Sequence, residues 1–422
     1  MTLKNKMIGI DEAIISAKRV MFRCNKLAKI TCMKIGITRL YLSPEHSLVN
    51  ELVGNWMKKA GMIVRQDEVG NICGRYESKY INSPAIVLGS HLDTVRNAGR
   101  YDGILGVLTA IEIVYWLNKN QTRLKLAIEV IGFGDEEGTR FGITLLGSRG
   151  LTGTWKKEWL LYTDKDGITI SEAMTNFGLD IRKIKDASRN IKDIVAYIEF
   201  HIEQGPCLDN ENLPLGVVTT IHGARRFNCR FIGQSGHAGT VPMYYRKDAL
   251  VAFAEWMTFV EHNTCKKHPQ LVATVGFLNC KPGATNVIPG EVDFSLDIRG
   301  PKDSLLESLS TTLLKEANII ANNRKLSFEF KEYYRTSATV CDIKLQKILF
   351  NSIQELQGRC LLLPSGAGHD AIAIAECWPI GMLFIRNHLG ISHNPKESIN
   401  LDDLIISLQA YSYAVNKIIN KI

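Results

Sequence analysis

Five short polar segments carry side chains able to do chemistry, and each adjoins an apolar run or a turn signal. Ser90-His91-Leu92-Asp93-Thr94 follows PAIVLG, and Arg100-Tyr101-Asp102-Gly103 precedes the apolar stretch 104–118. Gly134-Asp135-Glu136-Glu137-Gly138 follows KLAIEVIGF, and His201-Ile202-Glu203-Gln204-Gly205 follows AYIEF. Gly390-Ile391-Ser392-His393-Asn394-Pro395 lies near the C-terminus. Taken singly, each has a bland reading. A histidine at a strand end is usually structural or solvated, and paired glutamates usually open a helix, where they suit its dipole. The order changes the odds. His91, Asp102, Glu137, His201 and His393 supply the imidazole nitrogens and carboxylate oxygens that a zinc-like divalent ion takes. Five ligands are too many for one tetrahedral ion, but they serve two if Asp102 bridges. A pair of ions about 3.5–4 Å apart can clamp a carbonyl oxygen and a water together. Asp93 lies two residues from His91, on the same face of an extended chain, where it would orient that imidazole.

These residues need a sheet whose strands end together. PAIVLG and KLAIEVIGF read as strands covered on both faces, and the stretch between them, 104–118, has helical length and spacing. Strand, helix, strand predicts a crossover in a parallel or mixed sheet, with its site at the carboxyl ends. Residues 151–196 are polar and helix-like. From Gly216 the pattern changes to antiparallel-type alternation with amphipathic helices over 248–262 and 304–321. The expectation is an α/β fold: a mixed-sheet domain with helices on both faces from residues 1–216 and 333–422, interrupted by an α+β insert at 217–332.

Composition narrows the function class. Hydrophobic residues make up 45% of the 422 and charged residues 22%, as in an ordinary globular protein. The net charge of +8 comes without a basic run, which argues against a nucleic-acid partner. No apolar stretch reaches the length of a membrane span. Asp11 and Glu12 fall where a signal peptide needs its apolar core, so the N-terminus reads as mature protein. Ten scattered cysteines without a CxxC pair point to reduced thiols and a cytoplasmic location. No GxGxxG follows either buried strand, which sets aside a nicotinamide-dependent oxidoreductase.

At this point the sequence resembles a known family, the di-metal aminoacylase-type peptidases and amidohydrolases. The resemblance is to the branch of allantoate amidohydrolases, N-carbamoyl-L-amino-acid hydrolases and β-ureidopropionases. It runs from Arg39 to Asp402 through TRLYLSPE, DEVGNICGR, GSHLDTV, YDGILG, GDEEGTRFG, HIEQGP, GHAGTVPM, NVIPGEVDFSLDIR, SGAGHDA and GISHNP. It implies His91, Asp102, Glu137, His201 and His393 as ligands of two divalent ions (Zn or Mn, with Co or Ni possible), bridged by Asp102. It implies Glu136 as general base, Asp93 as orienter of His91, and a cis Asp102–Gly103 peptide. The insert becomes a lid and dimerisation domain. From it His237 would polarise the scissile carbonyl in the partner's site, Arg299 would pair with a substrate carboxylate, and Asn286 would also reach substrate. A homodimer follows. Gln204 and Gly368 resemble further substrate contacts.

The activity implied is hydrolysis of the carbamoyl C–N bond of a small ureido acid, releasing ammonia and carbon dioxide. Allantoate is the first choice, N-carbamoyl-L-amino acids or N-carbamoyl-β-alanine the second, and a peptidase the third. A catalytically dead scaffold is the reading from another class, and the intact Glu136 and ligand set weigh against it. His222 departs from the family pattern. His369 reads as either structural or substrate-facing, and His388 as a solvated loop residue. Asp135 is expected to tolerate Asn with little effect.

Overall fold

The computed structural model describes residues 7–421; Met1–Lys6, part of the N-terminal stretch read above as mature protein, and the last residue lie outside the described residues. The chain divides into two units, one formed by the chain up to Thr219 together with Cys341 onward, the other by Thr220–Val340.

The first unit is built on a nine-stranded mixed sheet. Ala85–His91 and Ala127–Phe133 are buried at every position, as strands covered on both faces must be. Ala85–His91 lies between Ala127–Phe133 and Ile194–Ile202 and is parallel to both. The helix Ile104–Lys119 follows the first of these strands in sequence, and Ile380–Ile385 adds a fourth parallel neighbour beside Ile194–Ile202. The chain thus passes from the central strand first to one side and then to the other. That reversal opens a crevice at the carboxyl ends, the usual place for a site in such sheets. Antiparallel strands Ile72–Tyr76 and Ile63–Gln66 extend one edge. The core joins this sheet to the helices Ile10–Leu27, Ile104–Lys119, Ile343–Gln357 and Leu401–Lys421 through residues such as Val20, Leu108, Leu349 and Leu408. The polar stretch expected to be helical over 151–196 is broken into the short helices Leu146–Thr152 and Ile170–Asn176 and the short 3-10 segments Lys157–Leu161 and Ile181–Ala187.

The second unit carries a five-stranded sheet and the helices Ala249–Lys267 and Asp303–Asn323. Strand Glu291–Gly300 shows why one face is covered. Val292, Phe294, Leu296 and Ile298 are buried, while the alternate residues, Asp297 and Arg299 among them, are only partly so. Asp248 caps the first helix by accepting from the Leu250 and Val251 amides. The unit extends past the expected boundary at 332 because Ser327–Thr336 pairs along its length with Gly223–Ile232. The chain leaves the first unit at Thr219 and returns at Cys341, whose amide donates to the Thr219 carbonyl at 3.0 Å.

Trp256 is fully buried in the core of the second unit, and its indole N–H donates to the Leu313 carbonyl at 2.9 Å. Trp256→Ala removes that packing and the indole bond to the helix carbonyl. The expected destabilisation is about 3–5 kcal/mol, read as a lower denaturant midpoint for this unit.

Among the described residues, no helix is long and apolar enough to cross a membrane. All ten cysteines are free.

Candidate metal centre

Three neighbouring parallel strands deliver the first side chains. His91 is the last residue of its strand, His201 lies at the end of Ile194–Ile202, and Glu136 and Glu137 follow Ala127–Phe133. Asp102 comes from the turn before Ile104–Lys119. Gly103 sits there at φ +69°, and a Cβ on it would lie 2.5 Å from the His91 ring. Only glycine allows both that conformation and that approach. The sole cis peptide among the described residues is Lys281–Pro282, so the expected cis Asp102–Gly103 bond is not present. The left-handed turn at Gly103 brings Asp102 against His91 instead.

Two clusters share Asp102. In one, ligand atoms of His91, Asp102 and His201 lie within 4.8 Å of one another; in the other, those of Asp102, Glu137 and His393 do. His201 Nε2 is 3.1 Å and His91 Nε2 3.7 Å from Asp102 Oδ1, and His393 Nε2 is 3.1 Å from Asp102 Oδ2 and 3.4 Å from Glu137.

The tautomers test whether a cation fits. His201 Nδ1 lies 2.8 Å from the Ile202 carbonyl and His91 Nδ1 lies 3.1 Å from the Asp93 carbonyl. A carbonyl can only accept, so each Nδ1 carries a proton. In the neutral rings both Nε2 atoms then present lone pairs, 3.5 Å apart and aimed at an Asp102 oxygen. Bare lone pairs facing a carboxylate in a buried site need a proton or a cation among them. The donor set of imidazole and carboxylate suits a divalent ion. Without one, burial is the largest influence on Asp102 and pushes its carboxyl up, but hydrogen bonds from His201, His393 and His91 outweigh it and hold the group well below its ordinary range.

Glu136 stands beside this arrangement as a buried carboxylate. Burial pushes it well above the ordinary range, against the opposing pull of His91. Gly368 leaves room for it, since a Cβ there would lie 3.3 Å from Glu136 Oε1. Asp93 does more than the sequence indicated. Its carboxylate lies 3.5 Å from His91 Nδ1 and also accepts the Glu136 amide at 3.1 Å and the Glu137 amide at 3.2 Å. Asp135 is fully buried at φ +60°, and its carboxylate oxygens lack hydrogen-bond partners.

Gln204, expected to face substrate, sends its amide N–H to Asp102 Oδ2 at 3.1 Å and to Ser392 Oγ at 3.2 Å. His369 is buried, 2.7 Å from Ser365 Oγ and edge-on to His201 at 4.6 Å, which is the structural role. His388 is exposed. Ser392, Asn387 and Glu397 also belong to the centre, and sequence reasoning did not single them out. Asn387 accepts the Gln204 amide at 3.0 Å. The polar residues that follow the apolar run IGMLFI were the available signal.

His237, Asn286 and Arg299 lie in the second unit. His237 and Asn286 are exposed neighbours, joined where the Ala238 amide donates to the Asn286 carbonyl at 3.0 Å. His237 Nδ1 accepts the Gly239 amide at 3.0 Å, so the neutral ring carries its proton on Nε2, ready to donate. Arg299 bonds Asp297 at 3.2 Å. His222 has no partner for either ring nitrogen, and burial, then the charges of Arg299 and His268, lower its pKa to about 4.

Comparison with known proteins identifies the family. The model of peptidase family M20/M25/M40 matches residues 87–417. The N-carbamoyl-L-amino-acid amidohydrolase of Pseudomonas sp. (strain NS671) is 39% identical over 396 residues, covering 93% of this chain and 95% of its own length. The probable allantoate deiminase of Oryza sativa subsp. japonica is 35% identical, covering 94% of this chain and 87% of its own. Among solved structures, an amidase of the hydantoinase/carbamoylase family from Burkholderia multivorans superposes with a TM-score of 0.90 at 31% identity, over 95% of this chain and 97% of its own. The chain belongs to peptidase family M20/M25/M40.

Proposed function

We propose that this protein hydrolyses the carbamoyl C–N bond of a ureido acid, with two divalent ions (Zn or Mn, with Co or Ni possible) held by His91, Asp102, Glu137, His201 and His393. The observation that carries the reading is the pair of ligand clusters sharing Asp102, with the buried carboxylate of Glu136 beside them. When bound, such ions polarise a carbonyl and lower the pKa of water. Glu136 takes the proton of the attacking water and delivers it to the departing nitrogen; its raised pKa suits a group that must do both. His237 Nε2–H donates to the scissile carbonyl oxygen from the second copy of a homodimer. Arg299 binds the substrate carboxylate with its planar fork, and Asn286, Gln204 and Gly368 are further substrate contacts. The setting is the cytoplasm, consistent with ten free cysteines.

Allantoate and N-carbamoyl-L-amino acids both fall within this class, and the relatives named above act by name on one or the other. The test is ammonia release from allantoate, N-carbamoyl-L-amino acids and N-carbamoyl-β-alanine, and amino-acid release from dipeptides, after stripping and reloading with Zn or Mn. Release from dipeptides alone defeats the proposal. Arg299→Ala is expected to raise KM for the best ureido acid and to spare metal content, because it removes a carboxylate contact and no ligand. An unchanged KM refutes the carboxylate role. Asp93→Ala frees His91 and both glutamate amides, and metal affinity should fall about 10–100-fold, measured by titration of stripped protein.

A further inference from the structure

Glu397 lies four residues beyond His393 and is buried, 3% exposed. Its carboxylate is spent on two separate pieces of chain. Oε1 accepts the Tyr101 amide at 2.7 Å and the Asp102 amide at 3.2 Å. Oε2 accepts the Ser392 hydroxyl at 3.0 Å. That hydroxyl oxygen in turn receives the Gln204 side-chain amide at 3.2 Å and lies 3.4 Å from Asp102 Oδ2, so Ser392 links Glu397, Gln204 and Asp102. The approach is tight: a Cβ on Gly99 would fall 2.3 Å from the Glu397 carboxyl carbon. Among the described residues no ion pair involves Glu397. A buried carboxylate without a cationic partner is costly for stability.

We propose that Glu397 is a positioning residue that ties the turn carrying Asp102 to the loop carrying His393, and so sets the geometry of the Asp102–Glu137–His393 cluster. The inference rests on the two-ion reading above. His91 and His201 are fixed by their strands and by backbone carbonyls. His393 sits on a loop at φ +53°, half exposed, and needs an anchor. Glu397 and Ser392 supply it from within a few residues, with backbone amides of the Asp102 turn at the far end. Removing the clamp therefore loosens one ion's site and leaves the other, whose remaining ligands are strand-borne, close to native.

The experiment is zinc titration of the chelator-stripped full chain, followed by calorimetry, alongside the thermal midpoint of the stripped protein. Glu397→Ala is expected to weaken the second binding phase about 10–100-fold and to leave the first within a few-fold. Glu397→Gln keeps an oxygen for the two amides and an N–H that can donate to Ser392 Oγ, so it should restore most of the second phase. Ser392→Ala, which deletes the hydroxyl and its contacts to Glu397, Gln204 and Asp102 but keeps the Glu397 bonds to the Tyr101 and Asp102 amides, should give a smaller loss in the same phase, and it serves if Glu397→Ala does not fold. Equal weakening of both phases, or a Gln variant as poor as the Ala variant, overturns the clamp. Native affinity for both ions in Glu397→Ala does so too. A wild-type chain that takes up a single ion defeats the two-ion reading itself, which is a different result from two ions in wild type and an indifferent Glu397.

Discussion

Glu136→Gln should retain both metal ions and lose at least about 10²–10⁴-fold in turnover. The amide is nearly the same size as the carboxylate, so Gly368 still accommodates it. The backbone amide of residue 136 keeps its bond to Asp93, and Glu137 stays in place to ligate. What disappears is a group able to accept and return a proton. Burial already pushes Glu136 well above an ordinary carboxylate, which raises its basicity. The check is steady-state ammonia release together with elemental analysis of the same preparation. Near-native turnover with full metal would remove Glu136 from the mechanism.

Asp102→Ala is expected to abolish binding of both ions, whereas His91→Ala should lose one. The difference follows from sharing. Asp102 Oδ1 faces His91 and His201, and Oδ2 faces His393, so the one carboxylate is common to both clusters. Deleting it leaves His91 and His201 with neighbouring lone pairs and no anion between them, and leaves Glu137 and His393 as an incomplete pair. Elemental analysis after exhaustive zinc loading separates the outcomes: retention of one ion by Asp102→Ala would show that it does not bridge.

The centre was legible in the sequence because its ligands punctuate strands whose own signal is strong. Ala85–His91 and Ala127–Phe133 are buried at every position, and such runs announce both themselves and their ends. The helix expected over 104–118 appears as Ile104–Lys119 for the same reason. Glu397 was not legible. It lies in a segment without periodicity, and its partners, Tyr101 and Asp102, are nearly three hundred positions away, so no local pattern records the contact. The dual attachment of Asp93 was partly hidden for a similar reason. Proximity to His91 could be read from spacing, but the Glu136 and Glu137 amides come from the turn after a neighbouring strand. The boundary at 332 was placed too early because Ser327–Thr336 is mostly exposed and its alternation is weak; its membership is decided by pairing with Gly223–Ile232. Between 151 and 196, helix-forming composition was read as helix, yet Gly153, Gly167 and Gly178 each adopt positive φ and cut the stretch into short pieces.

The hydrogen bond from the Cys341 amide to the Thr219 carbonyl has a consequence for how such a protein can diversify. The second unit is a detour whose two ends the first unit already holds together. Closing a loop becomes only slowly harder as the loop lengthens, so the host sheet is nearly indifferent to what the detour contains. Every candidate ligand belongs to the host, while His237, Asn286 and Arg299 all ride on the detour. The arrangement is a fixed reaction head with an exchangeable cassette. A change of sequence within Thr220–Val340 leaves the residues that gather around Asp102 unaltered in the chain.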